Sequence, residues 1–127
     1  MATTFESPVY PSDWLKHEAD SYYSRDTAII ASGSGLLVSG TVLAQVSATG
    51  KYVPAAATGS DGSQIATAIL LTPVDATASD APAVIVARHA IVSHAGLTYG
   101  STITDATKRA AAHGQLKAAG ILVRQGA

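Results

Sequence analysis

The 78 residues from 27 to 104 carry only five charged side chains: Lys51, Asp61, Asp75, Asp80 and Arg88. A soluble domain usually carries about one charged residue in four. The same stretch is dominated by Val, Ile, Leu and small residues, a composition that favours short strands and tight turns. Across the chain Ala, Ser, Thr and Gly supply 62 of 127 residues, with one Phe, one Trp and one Met. Disorder calls for low hydrophobicity and high net charge, whereas here the net charge is −1 and the mean hydropathy is +0.24. Coiled-coil heptads are absent. The lack of Cys excludes disulfide frameworks, thiolate zinc sites and Cys nucleophiles. So few large side chains make a thin core, and a near-neutral, charge-poor surface is a poor solvent-facing one. Much of that surface is therefore expected to be covered by other subunits.

The remaining charges sit at the two ends. Residues 1–26 have a net charge of −3 and residues 105–127 a net charge of +3. Neither end looks like a targeting signal, since residues 1–20 lack a basic start and an apolar run. The longest charge-free stretch, 27–50, is broken by Ser and Gly and does not read as a membrane span. A soluble chain that stays where it is made until it assembles is expected.

Periodicity predicts strands over 27–31, 36–39, 41–47, 51–53, 65–71, 83–88, 90–92 and 121–123. Residues 41–47 and 51–53, joined by a Gly-containing turn, read as a hairpin. Residues 55–63 and 75–82 read as loops. One convincing helix is expected over 104–119, capped by Thr104, with Asp105 at its positive end and Gly120 following its end. Its small apolar face is Ala112, Leu116 and Ala119. The fold class is thus mainly β, with one short C-terminal α-helix.

Catalytic and metal constellations are weak. His89 and His94, with His113 or Asp75, are the only metal set the spacing allows, against the plainer reading of surface or capping histidines. Asp61, Asp75 and Asp80 lie in turn-like sequences and read as solvated turn aspartates rather than paired acid–base groups. Neither a G-x-S-x-G elbow nor a P-loop occurs. The C-terminal Lys108, Arg109, Lys117 and Arg124 lack interleaved aromatics, so nucleic acid is not the expected partner. They fit a solvated helix face or an electrostatic match to an acidic neighbour, including the acidic N-terminal end of this chain within or between subunits. No catalytic residue, cofactor or metal is expected.

The N-terminal segment is the most suggestive region. Trp14, Leu15, Tyr22 and Tyr23 are apolar anchors of a type enriched at binding hot spots. Residues 23–31 have the pattern of a strand that adds to an open sheet edge, on this chain or on a partner. The alternative is a segment folded onto its own domain.

An ordered series of short motifs follows: Ser24-Arg25-Asp26-Thr27, Ile30-Ala31-Ser32-Gly33, Gly40-Thr41-Val42-Leu43, Ala48-Thr49-Gly50-Lys51-Tyr52, Asp61-Gly62, then the apolar runs 66–70 and 84–88 and the late helix ending in Gly120-Ile121. In order and spacing the chain resembles the head decoration proteins of tailed phages, the lambda D-protein family, over residues 15–125. The resemblance implies a small β-clip-like, partial-barrel domain at 32–127 with an extended N-terminal arm at 1–31. It implies a non-enzymatic virion protein, a homotrimer on the outer surface of the expanded capsid at threefold positions, made in the host cytoplasm. Such a protein stabilises the head against DNA packaging pressure, with neither nucleic acid nor membrane as partner. Contact with the major capsid protein would run through the arm, which orders by adding to a capsid sheet. The candidate contact residues are Trp14, Leu15, Tyr22, Tyr23, Ser24, Arg25, Asp26, Thr27 and Ile29. The alternatives are a trimeric fibre or accessory virion protein that contacts a host receptor or carbohydrate, and, further off, a small β-rich hydrolase or lyase.

Overall fold

The computed structural model describes residues 14–18 and 24–124. They form β1 (Leu15–Glu18), β2 (Arg25–Ile30), β3 (Gly35–Leu37), β4 (Val42–Gln45), β5 (Tyr52–Pro54), β6 (Ala66–Leu70), β7 (Val74–Ala76), β8 (Ala81–Val86), β9 (Ala90–Ser93), α1 (Ala106–Ala118) and β10 (Ile121–Arg124). The mainly β class with a single C-terminal helix is what these residues adopt.

Five strands close into a barrel in the order β2-β5-β4-β6-β8. Its β4–β5 hairpin is the one the turn composition predicted, with Leu43 opposite Pro54 and Gln45 opposite Tyr52. The barrel interior is filled by Ile30, Leu43, Ala68, Leu70, Ala83 and Ile85. A second core lies outside it, where Val42, Ala44, Ala66 and Ile69 meet Trp14, Val92, Leu116 and Ile121. Strand β4 is therefore buried on both faces, which explains its unbroken apolar run. The β4–β6 register slips at Leu43/Ala44, where Ala68 and Ala66 find partners and Thr67 is passed over as a bulge.

The second layer is a three-stranded sheet in the order β1-β9-β10. Strand β10 runs parallel to β9, with Ile121 opposite Ala90. Helix α1 supplies the crossover cover, burying Ala112 and Leu116. Its N-cap is Asp105 rather than the expected Thr104, and the Asp105 carboxylate accepts the Lys108 N–H at 2.9 Å. A carboxylate there both satisfies an orphan donor and meets the positive helix end. The expected loop over 75–82 instead contains most of β7, which pairs with β3, and the start of β8. Pairing with β3 supplies what a three-residue Val-Asp-Ala segment lacks on its own.

The expected arm is divided. Arg25–Ile30 is a stave of the barrel, paired antiparallel with β8 over six residues. Leu15–Glu18 pairs antiparallel with β9. Residues 1–13 and 19–23 lie outside the described residues. Gly40 shows how closely the N-terminal segment is seated. Its φ is +93°, and a Cβ there would stand 2.7 Å from the Gly96 carbonyl oxygen and 3.0 Å from the Trp14 indole. Only glycine permits that approach.

Candidate functional site

Trp14 is fully buried. Its indole N–H donates to Ser39 Oγ at 2.9 Å, and Ser39 donates in turn to the Leu71 carbonyl at 2.8 Å. A buried indole normally needs such a partner. Leu15 is half-buried against the same core. Ser24 is also fully buried and donates to the His89 carbonyl at 2.9 Å. These residues anchor the described part of the N-terminal segment to its own domain, and within the 23–31 stretch residues 25–30 pair with β8 of the same chain. Tyr22 and Tyr23 lie outside the described residues.

Of the other named residues, Arg25 is half-buried, and Asp26, Thr27 and Ile29 are exposed. Arg25 holds Glu18 by a two-point contact at 2.9 and 2.6 Å, which ties β2 to β1. Asp26 pairs with Arg88, two residues beyond the end of β8. Thr27 is exposed and Ile29 is 43% exposed. Strands β2 and β5 share a single register pair, Ile30 with Tyr52. A groove of about 460 Å³ opens between them, lined by Asp26, Thr27, Ile29, Gln45, Lys51 and Tyr52. Burial, and next the Asp26 charge, push the Tyr52 phenol above its ordinary pKa, while Arg88 opposes this. Lys51 closes one flank by pairing with Asp80 at 2.6 Å. The sequence reading missed Gln45, Lys51 and Tyr52 as neighbours of β2. The signal available was the hairpin turn that carries Lys51 and Tyr52, but the barrel closure that brings it to β2 is a long-range event.

The turn aspartates are each engaged locally. Asp61 accepts from the Ser63 hydroxyl at 2.6 Å and Asp75 from the Thr77 hydroxyl at 2.7 Å. These hydrogen bonds hold both carboxyls below their usual pKa. Asp80 is held low by Lys51 and by the Ser32 N–H. The histidines are only partly brought together. The Tyr99 hydroxyl lies 2.8 Å from His94 Nδ1 and 2.6 Å from His113 Nε2, with the Arg109 guanidinium 5.7 Å from the Tyr99 ring centre. His89 stands apart, in a left-handed turn (φ 50°) beside Gly120. Asp75 is on β7. The histidine–aspartate set allowed by spacing does not converge, and no three His, Asp or Glu side chains among the described residues are placed to hold a metal ion. Burial pushes Tyr99 up to about 12.

Among the described residues, then, the outward chemistry is that of surfaces: a shallow polar groove, open strand edges and exposed apolar side chains such as Leu36, which is 75% exposed. No helix of the described residues is long and apolar enough to cross a membrane. No curated protein matches the chain. The model of the bacteriophage lambda head decoration protein D family matches residues 4–121. That span takes in both sheets, the barrel and the helix, and the chain belongs to the bacteriophage lambda head decoration protein D family.

Proposed function

We propose that this chain is a non-enzymatic cement protein that binds the outer surface of the expanded phage head as a homotrimer at threefold positions, and stabilises it against the pressure of packaged DNA. It is made in the host cytoplasm and joins the virion afterwards. The observation that carries this reading is the family match over residues 4–121. The charge-poor surface supports it, because a surface covered by neighbours needs few charges.

The capsid contact is assigned to residues 1–13, with Tyr22, Tyr23 and the outward side chains Asp26, Thr27 and Ile29. Trp14 and Ser24, both fully buried, root the arm in the domain rather than reaching the capsid. Leu15 and Arg25, half-buried beside them, hold β1 and β2 together. Three arms acting from one trimer combine weak contacts through effective concentration. Binding is therefore strongest where three capsid sites have the right spacing, which favours the expanded lattice.

The test is to mix purified protein with expanded, undecorated heads and image them by cryo-electron microscopy. Trimeric density at the threefold positions is expected, with heads that resist heat or chelation longer. Absence of density at the threefold positions would transfer the chain to the fibre reading. Heads left bare would overturn the proposal.

A further inference from the structure

The β3–β7 ladder has one face on the barrel core and one in solvent. Leu37, Val74 and Ala76 pack inward. Leu36 and Asp75 are a cross-strand pair, so their side chains leave the ladder together on the other face. Leu36 is 75% exposed, the most exposed large apolar side chain among the described residues. Asp75 is exposed beside it. It receives the Thr77 N–H and the Thr77 hydroxyl on one oxygen, Oδ1, and takes part in none of the described ion pairs. The tip of the ladder is thus an apolar knob next to an unneutralised carboxylate.

A second surface has the complementary make-up. Beside β10 a groove of about 460 Å³ is lined by Leu122 and Val123 together with His113, Lys117 and Arg124. Lys117 and Arg124 are exposed, and among the described residues neither pairs with a carboxylate. The two surfaces adjoin. Leu36 and Tyr99 line one groove of about 410 Å³. The Tyr99 hydroxyl lies 2.6 Å from Nε2 of His113, which lines the other. An apolar side chain as bare as Leu36 is a liability for a chain that stays dispersed before it meets a head. Contacts that persist from synthesis onward are the more apolar ones. The knob therefore belongs inside the oligomer rather than at the capsid.

We propose that Leu36 and Asp75 of each copy dock in the β10 groove of the next, Leu36 against Leu122 and Val123, and Asp75 against Lys117 and Arg124. This rests on the homotrimer reading and names the surfaces that make it. The contact joins two different surfaces, so it is head-to-tail, and such contacts close into a ring when the rotation permits. In a ring of three, both neighbours of a copy lie on one side of it, so its two contacting surfaces must adjoin. The Tyr99–His113 contact gives this chain that adjacency.

The test uses exposed positions, so that folding is spared: Leu36→Gln, and Lys117→Glu combined with Arg124→Glu. Circular dichroism verifies the fold and sedimentation reads the association. Each variant is expected to weaken association by about tenfold or more. Asp75→Lys added to the double reversal restores opposite charges and is expected to recover trimers. Trimers untouched by either variant overturn this contact and leave the homotrimer standing. Dispersal that Asp75→Lys does not reverse gives the groove a different acidic partner and overturns the contact as well. Intact Leu36→Gln trimers that no longer bind undecorated heads give the knob to the capsid, with the same consequence. A wild-type monomer overturns the homotrimer, and the contact with it.

Discussion

The barrel and the β1-β9-β10 sheet share one core yet treat their edges in opposite ways. In the barrel every strand has two neighbours, and β4 is packed on both faces. In the smaller sheet both outer strands are open among the described residues. Closure satisfies the backbone internally and leaves nothing to offer a partner. An open edge leaves hydrogen-bonding capacity that a further strand can use. The division suits a protein that must first be a stable body and then part of a lattice. Trp14 joins the two regions: it enters beside β1 and packs with Val42 and Ala44 from the barrel.

Two N-terminal truncations should break this comparison most sharply. Removal of residues 1–26 takes Trp14, all of β1 and the first two residues of β2. It should leave an unfolded or aggregating chain by circular dichroism. Removal of residues 1–13 leaves every described element intact and should give a folded trimer with little or no occupancy on undecorated heads. A folded 27–127 fragment, or full occupancy by the 14–127 chain, would contradict the division between root and arm.

A smaller effect is expected from Trp14→Ala, which should lose about 3–5 kcal/mol in denaturant unfolding, the range for deletion of a buried aromatic. Leu43→Ala, inside the barrel, should lose about 2–5 kcal/mol. If the two regions fold as one unit, both variants shift a single transition. Two separate transitions in Trp14→Ala would show that the smaller sheet can open while the barrel persists.

pH should act on the smaller layer first. Burial, then the charges of His94 and Arg109, hold the His113 pKa below the ordinary histidine value of about 6.5. A histidine lowered in the folded state contributes its stability fully above that value and loses it as pH falls toward the folded pKa. A protonated His113 Nε2 can only donate to the Tyr99 oxygen, so it no longer accepts that hydroxyl's proton. The melting temperature should decline between about pH 7 and 5 in the wild type, and less in His113→Gln; equal declines would place the sensitivity elsewhere. The smallest expected effect is at the β4–β6 bulge. The Thr67 hydroxyl is buried without a hydrogen-bond partner. Thr67→Val removes an unsatisfied group at nearly constant volume and should leave stability unchanged or raise it by up to about 1 kcal/mol. A loss of stability would mean that the hydroxyl is bonded in solution.

The elements legible in the sequence are those whose signals are local. The β4–β5 hairpin follows from two β-prone runs around Gly50, and α1 from its alanines and the Gly120 stop. β1 was not legible. Leu-Lys-His-Glu has no alternation that marks a strand, and it becomes one because β9 offers it an edge and Trp14 pins its start. The contact residues sorted the same way. Their residue types marked the N-terminal segment as binding material, but only the fold separated buried Trp14 and Ser24 from outward Thr27 and Ile29.

By itself, the sequence determined a charge-poor β body, the placement of acids at one end and bases at the other, and the family. These follow from composition and from short-range patterns, which act on neighbouring residues. The tertiary structure alone decided which strands close into the barrel and that β1 and β10 flank β9 in one sheet. Those are pairings between segments far apart in the chain. Their free energy comes from burial and backbone hydrogen bonds shared between partners, and neither partner's residues reveal it alone.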